Sequence, residues 1–177
     1  MKLRHITMLS LLVLSPAAFA ADGTITFTGT ITTNTCKIDG AESVGVANKS
    51  VNLGDVPASA LATEGEVAGN QAFSLVLTDC SVGSNASVAA RFESLTLGTT
   101  DGYLALDGTS TAENVRIGIY DTSGTIQPVN GIVPTSSYVT LGENGDATLN
   151  YVAAYNSTGT PVAGSANSQV SYTLSYQ

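Results

Sequence analysis

The feature that most constrains this chain is apolar–polar alternation with a period of two, in short segments parted by turn residues. Ile25, Phe27, Gly29 and Ile31 alternate with Thr24, Thr26, Thr28, Thr30 and Thr32. Phe73, Leu75 and Leu77 form a second such face, ending beside Cys80, and Val88, Ala90 and Phe92 a third. Val115, Ile117 and Ile119 run into Asp121-Thr122-Ser123-Gly124, which reads as a hairpin turn into Thr125–Val129. Leu149, Tyr151, Ala153 and Tyr155 follow the turn-rich Gly142–Asp146, and Val170, Tyr172, Leu174 and Tyr176 form the last segment. Alternate side chains of a strand point to opposite faces, so each segment is expected to bury one side. One short helical turn is expected around Ala58–Glu66, and no long amphipathic helix is visible. The pattern predicts one all-β domain, a sandwich or barrel.

Residues 1–20 have the three parts of a secretory signal. Lys2 and Arg4 supply the positive start, Ile6 to Leu14 the apolar stretch, and Ala18-Phe19-Ala20 the small-x-small cleavage site. The apolar stretch is about half of what a membrane span needs, so cleavage between Ala20 and Ala21 is expected, with no membrane span in the mature chain. In an exported protein the two cysteines, Cys36 and Cys80, read as a structural disulfide. A loop of that size stabilises a fold by about 4 kcal/mol in the chain-entropy picture.

The mature part keeps four basic residues (Lys37, Lys49, Arg91, Arg116) against all fourteen acids, a net charge of −10. A surface so acidic repels phosphate backbones, which argues against nucleic-acid binding. The single histidine, His5, lies in the leader, so the mature chain has no imidazole for Ser-His-Asp or Cys-His catalysis, or for His-containing zinc sites. Paired carboxylates remain, Asp101 with Asp107 or Glu143 with Asp146, as in glycoside hydrolysis. Both pairs sit among Gly, Asn and Thr, where acids ordinarily serve turns. The D-x-D-x-D-G pattern of a calcium loop is absent. No catalytic, cofactor-binding or metal-binding residue is assigned.

Both mature ends are alternating strands. Ala21–Thr33 precedes the first cysteine and carries almost no charge, so nothing blunts it as a sheet edge. Gly29 interrupts its apolar face, a position where glycine often marks close approach of another backbone. Periodicity alone does not separate a first strand of the protein's own sheet from a strand given to another chain.

In order and spacing the chain resembles the major pilins of chaperone–usher fimbriae, of the type 1 kind. The resemblance rests on Phe27-Thr28-Gly29-Thr30-Ile31 before Cys36, Val51-Asn52-Leu53-Gly54-Asp55-Val56, and Phe73–Cys80. It continues through Asn114–Ile119 with Asp121–Gly124, and through Gly164, fourteenth from the C-terminus, with penultimate Tyr176. The resemblance implies an incomplete immunoglobulin-like β-sandwich that lacks its final strand and is completed by a donor strand in trans. It divides the chain into a signal peptide (1–20), an N-terminal donor-strand extension (21–34) and a pilin domain (35–177). Ile25, Phe27, Gly29 and Ile31 would seat in a neighbour's groove. Gly164, Val170, Tyr172, Leu174 and Tyr176 would form the groove edge that a periplasmic chaperone covers first. The implied function is a non-catalytic subunit of a surface fimbrium that supports adhesion. Its implied partners are copies of itself, a periplasmic chaperone and an outer-membrane usher. A minor or adaptor fimbrial subunit and a secreted carbohydrate-binding module are the alternatives.

Overall fold

Past Cys36, each of the alternating segments but one becomes a strand. A computed structural model describes residues 36–39, 48–81 and 86–177. The leader, the cleavage site at Ala20–Ala21 and the predicted donor residues Ile25, Phe27, Gly29 and Ile31 lie outside the described residues. The strands are β1 (Lys37–Ile38), β2 (Val67–Thr78), β3 (Ser87–Glu93), β4 (Glu113–Asp121), β5 (Val139–Thr140), β6 (Ala147–Val162) and β7 (Ser171–Tyr176). The helical turn expected near Ala58–Glu66 is a 3-10 turn at Ala58–Leu61.

Among the described residues these strands form two antiparallel sheets. One has the order β1-β2-β6-β4 and the other β5-β3-β7. Their inner faces are the apolar sides of the alternating segments: Leu75 and Leu77 of β2, Ile117 and Ile119 of β4, and Leu149 and Tyr151 of β6 meet Val88, Ala90 and Phe92 of β3. Burying side chains of this size contributes roughly 1.5–3 kcal/mol each, which is what holds the layers together. Tyr151 ties the sheets. Its ring meets Phe92 edge-on at 5.2 Å and lies tilted on Phe73 at 5.6 Å. Its hydroxyl accepts the Ala90 N–H at 3.0 Å.

The exception is Thr125–Val129. Its hairpin turn forms, with Asp121 Oδ1 accepting the Ser123 and Thr125 amides at 2.9 Å, but only the Tyr120–Ile126 bridge follows. Pro128 has no N–H to continue a ladder, and the Val129 amide turns instead to the Gly102 carbonyl.

The Cys36–Cys80 disulfide joins β1 to the end of β2 across 44 residues. Gly145 packs under it at φ +75°, where a Cβ would stand 2.7 Å from the Cys80 carbonyl, so the turn Gly142–Asp146 requires glycine there.

Candidate functional site

A sandwich of short strands has to protect its sheet edges or use them. β1 and β5 are only two residues long. The outer edge of β4 is taken up: Leu104 and Ile117 exchange backbone hydrogen bonds at 2.9 Å, and the Gln127 amide donates to the Ile119 carbonyl at 2.7 Å. β7 differs. It runs for six residues, and among the described residues β3 is its only strand neighbour. The alternation seen in its sequence leaves Tyr172, Leu174 and Tyr176 half-buried against the core, whereas Val88, Ala90 and Phe92 on the adjoining β3 are fully buried. An apolar face that is only half covered at the rim of a sandwich lacks a strand's worth of neighbours.

The opposite rim is formed by β1 and the outer edge of β2. The Tyr176 hydroxyl reaches to 3.3 Å from Cys36 Sγ, which anchors the end of β7 to the disulfide. Lys49 bonds Asp39 at 2.8 Å and the Ser74 carbonyl of β2, and Asp39 Oδ1 accepts the Val76 amide. Burial pushes the Tyr172 hydroxyl up from its ordinary value, and the Asp39 charge adds to the effect. Burial does the same at Tyr176.

Between these rims lies a cavity of about 570 Å³. Its apolar wall includes Leu53, Phe73, Phe92, Leu104, Val170 and Tyr172, with Lys49, Asp107 and Ser168 among its polar lining. The wall draws on both sheets and on three loops. That volume accommodates several large apolar side chains against the apolar wall, beside the polar groups of the remaining lining.

The predicted groove-edge residues divide three ways. Val170 and Tyr172 line the cavity. Leu174 and Tyr176 continue the same face of β7 beyond it. Gly164 lies off the cavity, against Thr111 and Ala112, where a Cβ would come within 2.5 Å of backbone atoms. The Thr111 and Ala112 amides both donate to the Ser165 carbonyl at 3.0 Å, and the Asn167 amide donates to Ser110 Oγ at 2.8 Å. The loop 107–112 and the approach to β7 are thereby stitched together. Sequence reasoning missed the cavity residues Leu53 and Leu104, which sit on irregular segments without alternation.

Of the candidate carboxylate pairs, Asp101 and Asp107 hold local structure. Asp101 accepts from the Thr99 hydroxyl at 2.5 Å and pairs with Arg116, whose guanidinium stacks 3.6 Å over the Tyr103 ring. Asp107 closes a turn by accepting the Thr109 hydroxyl and amide and the Ser110 hydroxyl. These bonds hold both carboxyls below the ordinary carboxylate value, led by the Thr99 hydroxyl at Asp101 and the Thr109 hydroxyl at Asp107.

Comparison with known proteins accounts for this architecture. A family model described as "Fimbrial protein" matches residues 25–177. The chain is 38% identical over 167 residues to the major fimbrial subunit SMF-1 of Stenotrophomonas maltophilia, covering 90% of this chain and 95% of that one. It is 33% identical over 179 residues to the type-1 fimbrial protein A chain of Escherichia coli K12, covering 99% and 94%. Among solved structures, a chaperone–usher pilus matches with TM-score 0.60 and 20% identity, covering 92% of this chain and all of that one. The P pilus rod subunit PapA matches with TM-score 0.58 and 18% identity, covering 80% and 99%. These neighbours share the immunoglobulin-like pilin fold. The chain therefore belongs to the fimbrial protein family, as a structural, non-enzymatic pilus subunit exported through the periplasm to the cell surface.

Proposed function

We propose that this subunit polymerises head-to-tail by strand donation, with Ala21–Thr33 of one copy completing the sandwich of the next along β7. The single observation that carries this reading is the cavity between the sheets, with Phe73, Phe92, Leu104, Val170 and Tyr172 in its wall, beside the outer edge of β7. Strand addition to an exposed sheet edge, of which chaperone–pilin complementation is an established instance, combines main-chain hydrogen bonds with alternate side chains in pockets. Ile25, Phe27 and Ile31 are the side chains that enter, and together they contribute roughly 5–9 kcal/mol on burial. Gly29 permits close backbone approach between them. A periplasmic chaperone occupies the same edge first, and an outer-membrane usher is where the exchange takes place. Donation of this kind is a heterologous contact that does not close, so it produces a fibre, which supports adhesion at the surface.

The test is an unheated SDS gel of material made with a matching chaperone and usher, comparing the full mature chain with a form lacking Ala21–Thr33. A ladder of heat-sensitive multimers from the first and monomer alone from the second is expected. Monomer from both, stable without chaperone, would mean that the N-terminal strand completes its own sheet.

A further inference from the structure

Two large apolar side chains stand in water at one end of the sandwich. Leu95 is 106% exposed and Ile132 is 90% exposed. They belong to different loops that one side chain locks together. Asn130, at φ +61°, donates through Nδ2 to the Ser94 carbonyl at 2.7 Å and accepts the Ser94 amide on Oδ1 at 2.9 Å, while its own amide donates to the Phe92 carbonyl. Leu95 and Ile132 each lie within two residues of this lock. Beside them is an open depression of about 480 Å³ lined by Gly98–Gly102 and Pro128–Gly131. Singly exposed apolar residues are ordinary, but a pair on two loops tied to each other next to a depression marks a contact surface.

Its position names the occupant. Glu93 pairs with Ser171, so Leu95 follows directly on the end of β3 that adjoins the start of β7, the end lined by Phe92, Val170 and Tyr172 in the cavity. In the strand-donation reading, on which this inference rests, only Asn34 and Thr35 separate Thr33 of the donor from Cys36 of its own domain. Three peptide steps reach about 10 Å. The donor's domain must therefore press against one end of the acceptor's groove. Exposed apolar surface chooses which end. Near the C-terminal end of β7, the turn that packs on Cys80 carries Glu143 and Asp146, neither in an ion pair among the described residues. Near Leu95, Glu93 is paired with Arg91 and Asp101 with Arg116. A docking domain that covers Leu95 and Ile132 removes their exposed apolar surface from water, a gain that the charged turn at the other end does not offer.

We infer that Leu95, Ile132 and the adjoining depression form the seat for the domain of the donating copy, a contact between subunits additional to the donated strand. The test measures maleimide labelling of Leu95→Cys and Ile132→Cys in the chaperone-bound subunit and in fibres, with Glu143→Cys as the control. Labelling at 95 and 132 is expected to slow by about an order of magnitude in fibres, as for the buried centre of an interface, with the control unchanged. A normal heat-sensitive ladder with equal labelling in both states would overturn the seat and leave strand donation standing. A ladder that is absent, or that survives deletion of Ala21–Thr33, would remove strand donation and the seat with it. As a second variant, Leu95→Asp with Ile132→Asp is expected to leave the monomer folded and shorten the fibres. Fibres of unchanged length would count against the seat.

Discussion

Replacing Gly164 by Ala adds one methyl group where the backbone leaves no room. An ideal Cβ would stand 2.5 Å from both the Ala112 nitrogen and the Thr111 carbonyl carbon. A side chain could rotate away, but these are main-chain atoms, so the two segments have to part. The bonds at risk are the Thr111 and Ala112 amides to the Ser165 carbonyl, each 3.0 Å, and the Ser165 amide to Thr111 Oγ1, 2.9 Å. Each is solvent-accessible and contributes about 0.5–1.5 kcal/mol net, so losing two or three costs about 1–4.5 kcal/mol. For a domain of this size that lowers Tm by roughly 2–18 °C. Thermal unfolding of the oxidised chain, followed by near-ultraviolet circular dichroism, measures it. Gly108→Ala is the control, because a Cβ there meets nothing within 4 Å. Since Ser168 and Val170 line the cavity just beyond the stitched segment, Gly164→Ala should also thin the multimer ladder. A Gly164→Ala melt matching the parent, or a Gly108→Ala melt falling just as far, would refute the reasoning.

Other outcomes follow from the same physics. Gly29→Leu is expected to abolish multimers while the chaperone complex still copurifies; normal fibres from that variant would remove the trans-donor role of Gly29. Tyr151→Phe leaves the buried Ala90 amide without its acceptor and should cost about 1–3 kcal/mol in denaturant titration; an unchanged midpoint would contradict the bridging role. At Asp121, burial opposes ionisation. Bonds from the Ser123 hydroxyl, the Thr125 and Ser123 amides and the Ser137 hydroxyl outweigh it, so the carboxyl titrates below its ordinary value in the fold. The resulting stability is complete above the unfolded carboxylate value of about 3.9 and is lost as pH falls through the lower folded value. Asp121→Asn should flatten that acid limb, and a limb of unchanged slope would exclude Asp121 as its source. Burial, together with the Tyr103 neighbour, raises Tyr120 from 10.0 to about 12. It should therefore contribute a loss of stability between those values, absent in Tyr120→Phe.

Alternation made the inner faces legible in advance. Leu75 and Leu77, Val88, Ala90 and Phe92, Ile117 and Ile119, and Leu149, Tyr151 and Ala153 are buried as a period of two requires. The same pattern could not show strand order, which depends on contacts remote in sequence. Nor could it find elements without a periodic signal. β5 is two exposed residues, and Leu104 is buried at 3% from within a loop. β6 continues past Tyr155 through Asn156 and Ser157, polar yet buried, because Asn156 Nδ2 donates to the Gly65 carbonyl and the Ser157 amide to that of Glu66. Polarity there hides a strand that burial reveals. Gly164 stood out by its distance from the C-terminus, but what it touches, Thr111, is 53 residues away and invisible to any local pattern. A groove edge at Val170 to Tyr176 came from the family resemblance and not from the alternation, which fits an ordinary closing strand equally well. The cavity's far wall at Leu53 and Leu104 required the fold.

The central claim, donation in trans, is tested most directly by placing a photo-cross-linking residue at position 31 and assembling fibres from an equal mixture of light and heavy isotope-labelled chains. The account predicts cross-links from position 31 to Phe92, Val170 or Tyr172 that join light peptides to heavy ones. Cross-links to those residues that always join peptides of the same label would place the strand in its own sandwich and contradict the account.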